Sequence, residues 1–335
     1  MKVGIVGVGF MGATHAAAWA ETDAHISGFV AETTGEAQPL ADQFGVKVYP
    51  DLAALLDKVD VIDLCTPTHL HYEMVLQAAA AGLHIICEKP LARSVEQARE
   101  MLQACRSAGV RLLVAHVVRF FPEYALAKAS VEDGKIGKPG VIRLSRGSYR
   151  PKKPVGNWFL DEAKSGGILM DLMVHDFDYA RWIAGDVESV FARKVTVSQP
   201  QAGVDYGLAI LKHSGGALSH VAGAWAYPPP TFRTHLEIAG DAGLIEFDSD
   251  DSAPIRNLIG KPAGDSPDVG LPSSPVSESP YTTQIKEFYQ ALRSGEPARV
   301  AAEDGLAAVQ IAESAILSAA TGQPVALAPL KEVLR

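Results

Sequence analysis

The sequence predicts an α/β protein with a doubly wound parallel sheet at the N-terminus and a C-terminal α+β domain with a large, mostly antiparallel open sheet. The chain has 335 residues, which is longer than a domain with a single hydrophobic core usually is. Short apolar runs alternate with longer amphipathic runs as far as Arg119, which is typical of βαβ units. After Phe121 strand-like runs follow one another, which favours antiparallel pairing. We therefore expect two domains, at residues 1–120 and 121–335.

The alternating runs of the first half give five strands and four helices. The predicted strands are Lys2–Val6, His25–Ala31, Val59–Cys65, Leu83–Glu88 and Val110–His116. The predicted helices are Met11–Glu21, Gly35–Phe44, His69–Ala81 and Ser94–Ala108. Ser94 and Gln97 fit a capping box at the start of the last helix. Gly82 and Gly109 stand where helix C-termini favour glycine, so these boundaries have a local cause.

The second half is predicted to be mainly strand. The expected strands are Val141–Ser148, Val187–Val197, Tyr206–Lys212, Ala217–Ala226, His235–Ala239 and Gly243–Phe247. The expected helices are Ile168–Ala184, Thr282–Ser294 and Ala302–Ala320. The stretch Ser249–Pro280 is rich in Pro, Ser, Gly and Asp, which predicts a long surface loop.

Composition and charge exclude several classes of partner. The net charge of −9 argues against a nucleic-acid surface or an anionic membrane as the main partner. Cys65, Cys87 and Cys105 form no C-x-x-C pair, which favours reduced thiols and small core residues. No apolar run approaches the roughly 18–20 residues of a membrane span. The N-terminus superficially resembles a secretory signal, but cleavage would remove the first strand, so we expect a cytoplasmic protein.

The first strand leads directly into a G-x-G-x-x-G segment made of Gly7, Val8, Gly9, Phe10, Met11 and Gly12. Between a strand and a helix this spacing predicts a Rossmann dinucleotide-binding domain. Gly7 permits the tight turn, Gly9 admits a pyrophosphate, and Gly12 allows close helix–strand packing. Glu32 lies twenty residues after Gly12, where a carboxylate binds the adenosine ribose. The expected cofactor is NAD, with NADP as the alternative.

Four further motifs occur in a fixed order: Thr66-Pro67-Thr68-His69-Leu70-His71, Glu88-Lys89-Pro90, Gly166-Gly167-x3-Asp171-x3-His175 and Glu303-Asp304-Gly305-Leu306. Over nearly the whole chain they resemble the Gfo/Idh/MocA oxidoreductases, which include glucose-fructose oxidoreductase and inositol dehydrogenase. The resemblance implies that Lys89 is the catalytic lysine and that Asp171 and His175 form the acid–base pair. It also implies that Thr66, Pro67 and His71 border the nicotinamide. The chain departs from the family near the end of the last Rossmann strand, where many members have asparagine and this chain reads His116-Val117-Val118-Arg119.

The residues support the same chemistry without the resemblance. The predicted helix Ile168–Ala184 is apolar almost all round, so a polar stripe of Asp171, His175 and Asp178 on it needs partners or a cleft. A carboxylate one turn from a histidine can fix its tautomer for proton transfer. A structural Asp–His pair is the alternative. No metal is expected, because no third ligand stands nearby in the sequence.

Other residues near the predicted site have two interpretations each. Lys89 follows a parallel strand, where ligands bind and where an amine can stabilise an alkoxide; otherwise it is a surface lysine. Glu88 is expected to orient Lys89 or contact the cofactor. Arg119 either reaches the substrate or forms a structural ion pair, and Asn157 and Trp158 are candidate substrate contacts. The basic residues either bind an anionic substrate or line a solvated loop: Arg143, Arg146, Arg150, Lys152 and Lys153. Asp176 and Asp178 are expected to pair with Arg181.

The expected function is reversible hydride transfer between NAD and a carbinol carbon of a sugar or cyclic polyol. Two alternatives remain at this point: a glycosidase that uses tightly held NAD, and a non-catalytic dinucleotide-binding regulator. A homodimer or homotetramer is also expected, since the run Ala217–Ala226 is short of charge.

Overall fold

The structure is a computed structural model that describes residues 1–152, 157–197, 203–250 and 278–334. These residues form two compact units. The first consists of residues 1–120 and 278–306, and the second of the described residues from 121 to 250 together with 307–334. Lys153 and residues 251–277 of the predicted loop Ser249–Pro280 lie outside the described residues.

The first unit contains a parallel sheet that confirms the predicted doubly wound fold. Its strands, counted over the described residues, are β1 (Lys2–Val6), β2 (His25–Val30), β3 (Lys47–Val48), β4 (Val61–Leu64), β5 (His84–Glu88) and β6 (Leu112–Ala115). They lie in the order β3-β2-β1-β4-β5-β6, so the chain winds outward from the centre in both directions. Ligands of such sheets bind at the carboxyl ends of the strands, here called the carboxyl edge. The strand β3 was not predicted, because two residues show no periodicity.

The helices of residues 1–120 cover this sheet. They are α1 (Phe10–Ala20), α2 (Thr34–Phe44), α3 (Ala53–Leu56), α4 (Thr68–Ala80) and α5 (Val95–Ser107). The Ser94 hydroxyl accepts the Gln97 N–H at 3.2 Å, as the predicted cap requires. The strands β4, β5 and β6 are buried on both faces, and Ile62 and Ile85 are fully inaccessible. Apolar burial therefore holds α1 and α4 with their N-termini at the carboxyl edge.

The remaining elements follow in chain order. They are α6 (Pro122–Glu132), β7 (Pro139–Ser148), α7 (Glu162–Ser165), α8 (Gly167–Asp171), α9 (Val174–Ala184), β8 (Val187–Val197), β9 (Val204–His213), β10 (Leu218–Trp225), β11 (Phe232–Gly240), β12 (Leu244–Asp248), α10 (Pro280–Ser294), α11 (Ala302–Thr321), β13 (Val325–Ala326) and α12 (Leu330–Val333). Across the described strands the second sheet has the order β12-β11-β7-β10-β9-β8-β13. Its pairs are antiparallel except β7 with β10, which confirms the predicted mostly antiparallel sheet. No helix in the described ranges is long and apolar enough to cross a bilayer.

The helix α10 belongs to the first unit, which differs from the predicted single domain at 121–335. Tyr289 of α10 packs edge-on against Trp19 of α1, with ring centroids 6.3 Å apart. Further on, a Cβ on Gly305 would lie 2.8 Å from Val114, so this motif glycine permits close packing on β6. The predicted boundary missed these contacts because they join residues far apart in the sequence.

The predicted helix Ile168–Ala184 is in fact two helices, α8 and α9. The Met173 N–H bonds to the Ile168 carbonyl five residues earlier at 3.0 Å, so the turn between the helices is wide. The Met173 side chain lies over Gly207 and Gly223, which are paired across β9 and β10. A Cβ on either glycine would come within 2.6 Å of Met173. Packing on the sheet therefore accompanies the break, which apolar periodicity could not indicate.

Candidate active site

The turn between β1 and α1, residues 7–12, has the geometry that an anion-binding turn needs. Gly7 has a φ of +93°, and a Cβ on Gly12 would lie 1.9 Å from the Gly7 carbonyl oxygen. Side chains are therefore excluded at both positions. Gly9 is the N-cap of α1, where no side chain caps the helix and the space around its Cα is open. These features fit a dinucleotide pyrophosphate at the helix N-terminus.

The other predicted cofactor residues of this region are accessible. Phe10 is 43% exposed and Met11 is half-buried at the start of α1. Glu32 is exposed just after β2, next to Thr33, which caps α2. The first strands of the sheet therefore present the glycine turn and a free carboxylate side by side at the carboxyl edge, as a ribose contact requires.

His71 does not have the accessible position that we predicted for a nicotinamide contact. It is fully buried, and its two ring nitrogens lie 2.9 Å from the carbonyl oxygens of Pro90 and Thr66. Burial lowers the pKa of His71, although the backbone hydrogen bonds oppose this. His71 thus joins the Thr66-Pro67 loop to the Lys89-Pro90 loop, while Thr66 and Pro67 themselves are half-buried at the carboxyl edge.

Lys89 follows β5 at the carboxyl edge, as predicted. Its side chain is half-buried, and its backbone N–H donates to the Glu88 carboxylate at 3.0 Å. Glu88 itself is only 6% exposed. A buried carboxylate needs polar partners, and one of its two oxygens already binds the Lys89 backbone. Glu88 therefore binds the backbone at Lys89, and its predicted role of orienting the lysine stays a prediction.

A buried polar cluster stands behind Glu88, and sequence reasoning missed it. His15 of α1 lies with Nδ1 3.0 Å from both oxygens of Asp63 on β4, and Trp19 donates to the same carboxylate at 2.8 Å. The opposite nitrogen of His15, Nε2, is 3.2 Å from Glu88 Oε1. The signal in the sequence was a histidine and an aspartate inside otherwise apolar runs.

The cluster has an unusual protonation chemistry. Burial alone would lower the pKa of His15, but the Asp63 charge and hydrogen bond raise it well above its usual range. Cys65, with Sγ 3.3 Å from His15, has a pKa raised to about 12 by burial and by Asp63. Potential metal-ligand atoms of His15, Asp63 and Cys65 lie within 4.8 Å of one another. Sequence spacing did not reveal this group, because His15 is far from the other two residues in the chain.

In the second unit, the helix break separates the predicted acid–base residues. Asp171 ends α8 and is 6% exposed, whereas His175 is half-buried in the first turn of α9. The predicted stripe on one continuous helix is therefore wrong, because the wide turn at Leu172 and Met173 interrupts it. Asp178 lies on α9 and is buried.

A buried ion pair anchors α9 beside His175. Arg146 of β7 donates from Nε and Nη2 to the two oxygens of Asp176 at 2.8 and 2.9 Å, and both side chains are at most 3% exposed. The predicted pairing of Asp176 with Arg181 is wrong, since Arg181 pairs with Asp186 at 2.8 Å. The bidentate pair ties the helix to the sheet in one orientation.

The other arginines of the basic run also have acidic partners. Arg143 pairs with Glu237, and Arg150 Nε is 3.3 Å from Asp205. The solvated-loop interpretation does not describe Arg143 and Arg146, because both lie on β7 and pair with acidic residues. Their partners come from residues far along the chain, so the run of bases contained no hint of them.

Arg119 has the structural role that was one of its two interpretations. Its side chain is 2% exposed, and Nη1 donates to Asp304 and to the Arg299 carbonyl, both at 3.1 Å. This burial contradicts the predicted substrate contact. Asp304 of the Glu303-Asp304-Gly305-Leu306 motif also accepts the Ala301 N–H at 3.0 Å, so the motif stabilises the first unit.

Asn157 and Trp158 lie at a short 3₁₀ helix, residues 158–160. Asn157 donates from its side-chain amide to the Pro151 carbonyl at 2.9 Å, and Trp158 stacks on Phe159 with centroids 4.0 Å apart. Both side chains are half-buried. Part of each side chain is therefore held by its neighbours, and part is accessible.

Comparison with known proteins agrees with this geometry. The NAD-binding Rossmann model of the Gfo/Idh/MocA oxidoreductases matches residues 1–116, and the C-terminal domain model of the same family matches residues 124–246. The myo-inositol 2-dehydrogenase of Thermotoga maritima is 30% identical over 329 residues, or 94% of this chain and 95% of that protein. The D-apiose dehydrogenase of Paraburkholderia graminis is 30% identical over an alignment of 348 residues. This alignment covers 98% of this chain and 90% of that protein.

Two solved structures share the fold over almost the full length. GenD2 from gentamicin A biosynthesis, in complex with NAD, is 26% identical with a TM-score of 0.86, covering 98% of this chain and 97% of that one. A levoglucosan dehydrogenase in complex with NADH and levoglucosan is 26% identical with a TM-score of 0.83, covering 98% and 99%. The likeness therefore includes both units.

Proposed function

Because this chain belongs to the Gfo/Idh/MocA family of NAD-binding oxidoreductases, we propose that it transfers a hydride between NAD and a carbinol carbon of a sugar or cyclic polyol. One observation carries the proposal: Lys89, supported by buried Glu88, lies at the carboxyl edge of the sheet that bears the glycine turn. Relatives named for myo-inositol, D-apiose and levoglucosan supply the substrate class.

The first unit binds the cofactor in this proposal. The backbone of residues 7–12 binds the pyrophosphate, with Phe10 and Met11 flanking it, and Glu32 binds the adenosine ribose. Thr66 and Pro67 border the nicotinamide, with Glu88 and Lys89 near them. When bound, NAD accepts or donates the hydride at the nicotinamide ring. The protein contributes position and charge.

The second unit supplies the proton chemistry. His175 takes the proton of the substrate hydroxyl as the carbinol C–H bond breaks and its electron pair leaves as hydride, which yields a carbonyl. The Lys89 ammonium of the first unit donates a hydrogen bond to a substrate oxygen and stabilises the developing alkoxide. Asp171, four residues before His175, orients the imidazole in this proposal. Asn157 and the face of Trp158 contact the sugar ring.

The proposal also includes a homo-oligomer, either dimer or tetramer. Large apolar side chains are 39–56% exposed on β8, β9 and β10, among them Val195, Tyr206, Ile210 and Leu218. In β9 and β10 they alternate with buried residues that face α8 and α9. Apolar side chains that share one open sheet face favour burial against another copy.

The decisive experiment is a screen of cyclic polyols, aldoses and anhydrosugars for NADH formation, run with wild type and with Lys89→Met. Methionine keeps much of the length of lysine but removes the charge, so turnover should fall by about 10²–10³-fold, the usual cost of losing one donor to a developing oxyanion. Arg106→Met, a basic residue on α5 that pairs with Glu303, is the matched control.

Three results would contradict the proposal. Full turnover by Lys89→Met would remove the lysine from the reaction. Absence of turnover by wild type across the panel, with NAD bound, would favour a regulator. Release of a free sugar from glycosides without net NADH would favour the glycosidase.

A further inference from the structure

A continuous chain of polar contacts runs from β4 through α1 to the catalytic segment of β5. Trp19 Nε1 donates to Asp63 at 2.8 Å, and Asp63 lies 3.0 Å from His15 Nδ1. His15 Nε2 is 3.2 Å from one oxygen of Glu88, and the other oxygen accepts the Lys89 N–H at 3.0 Å. His15 and Asp63 are completely buried. The proposed mechanism does not use either of them.

The charges around His15 favour an imidazolium. A neutral imidazole carries one N–H, so one of the two carboxylates, Asp63 or Glu88, would face a nitrogen lone pair. Two buried carboxylates near one uncharged ring would also lack a counter-charge, which is expensive at low dielectric. An imidazolium donates from Nδ1 to Asp63 and places its positive charge 3.2 Å from Glu88, where Nε2 makes an ion pair without hydrogen-bond geometry. The pKa of His15, raised by Asp63, agrees with a charged ring.

We propose that His15 is a positioning residue: as a buried imidazolium clamped between Asp63 and Glu88, it holds the Glu88 carboxylate that orients Lys89. Since α1 begins at the glycine turn, the clamp couples the cofactor-binding helix to the lysine that contacts the substrate oxygen. This inference rests on the proposed function of Lys89. A metal at His15, Asp63 and Cys65 is the competing interpretation, and it needs an unprotonated Nδ1.

The sign of the pH dependence follows from the raised pKa. The native pKa of His15 lies above its unfolded value, so its contribution to stability is fully present below about pH 6.5. That contribution disappears as the pH rises through the native pKa. Asp63, Cys65 and Glu88 are the titratable groups that face the ring, from the neighbouring strands β4 and β5 and the residue after β4.

The first test is spectroscopic and needs no substrate. Nitrogen NMR of wild type, with the His15 signals assigned by their loss in His15→Gln, distinguishes an imidazolium from a neutral or metal-bound ring. We expect the imidazolium at about pH 8, where an ordinary histidine with a pKa of about 6.5 is neutral. A neutral or metal-bound His15 at that pH overturns the inference, and this result does not depend on knowing the substrate.

The second test is kinetic. In His15→Gln we expect kcat to fall on the order of 10- to 100-fold, the effect of a slightly misplaced catalytic group. The Kd for NAD should change less than about threefold, since the backbone of residues 7–12 is intact. His213→Gln is the matched control, a buried histidine of the second unit that bonds Gly185 and Ser219. If both variants lose kcat equally, the loss in His15→Gln comes from general destabilisation of the protein, and the inference is overturned.

A double-mutant cycle shows whether His15 acts through Glu88. If it does, the kcat of His15→Gln with Glu88→Gln should match that of the more impaired single variant. If the fold-loss of kcat in the double variant equals the product of the two single losses, the two residues act independently and the inference fails. If wild type shows no turnover at all, the proposed function fails, and the NMR titration alone decides the state of His15.

Discussion

The two units build their functional groups in different ways. In the first, glycines create an anion-binding turn within six consecutive residues, and Lys89 takes its position from the end of the strand that precedes it. In the second, His175 follows a helix break over paired glycines, and its neighbour Asp176 is held by an arginine thirty residues earlier in the chain. Local sequence therefore determines the proposed cofactor site, whereas remote contacts determine the proposed proton-transfer site.

This difference predicts that substitutions in the two units affect different measured quantities. Changes in the first unit should alter cofactor affinity and choice, and changes in the second should alter turnover with the cofactor still bound. The following predictions test this division, from the largest expected effect to the smallest.

The largest effect is expected for His175→Asn. Asparagine cannot take the substrate proton, so kcat should fall about 10²–10⁴-fold, the usual contribution of a general base. The Kd for NAD should stay within a few-fold, measured by fluorescence titration. His235→Asn, a half-buried histidine of β11 in the same unit, is the control. Turnover within a few-fold of wild type would remove His175 from the mechanism.

The next effect concerns the buried ion pair. Arg146→Ala leaves Asp176 buried without its partner, and breaking such pairs costs about 3–5 kcal/mol in the free energy of unfolding. Arg143→Ala on the same strand removes a half-exposed pair and should cost less than about 1 kcal/mol. Urea unfolding measures both. Similar losses in the two variants would show that the Arg146–Asp176 pair has no special anchoring role.

A smaller effect is expected for cofactor choice. The exposed Glu32 carboxylate should favour NAD over NADP by about tenfold or more, since the extra phosphate adds charge beside it and one hydrogen bond to a charged group is worth about 1.5–3 kcal/mol. In Glu32→Ala the preference in kcat/KM should largely vanish, whereas Glu36→Ala, an exposed residue of α2, should keep it. A wild type that uses both cofactors equally would end this interpretation.

The smallest effect is a change of mass. Light scattering at micromolar concentration should give at least twice the 35.5 kDa of one chain. Ile210→Glu puts a charge on the exposed face of β9 and should lower the mass, while Lys47→Glu, an exposed residue of β3 in the first unit, should not. A wild type of one-chain mass would contradict the proposed assembly.

The division also explains which expectations were correct. The strands and helices of residues 1–120 followed from periodicity and capping residues such as Ser94, because both act within a few residues. The buried positions of His71 and Arg119 did not follow. Each depends on carbonyl or carboxylate partners brought near by the sheet or by residues 299–304, and a motif in the sequence does not say which of its members face a ligand.

The sequence by itself determined the fold class, the glycine turn and the placement of Lys89, since each is set by neighbours along the chain. Only the tertiary structure decided that α10 packs with the first unit, that α8 and α9 are separate, and that His15 lies between two carboxylates. The physical reason is common to all three. Buried polar groups and close-packed helices contact the groups that the fold places within a few ångströms of them. Local periodicity in the sequence does not predict which groups these are.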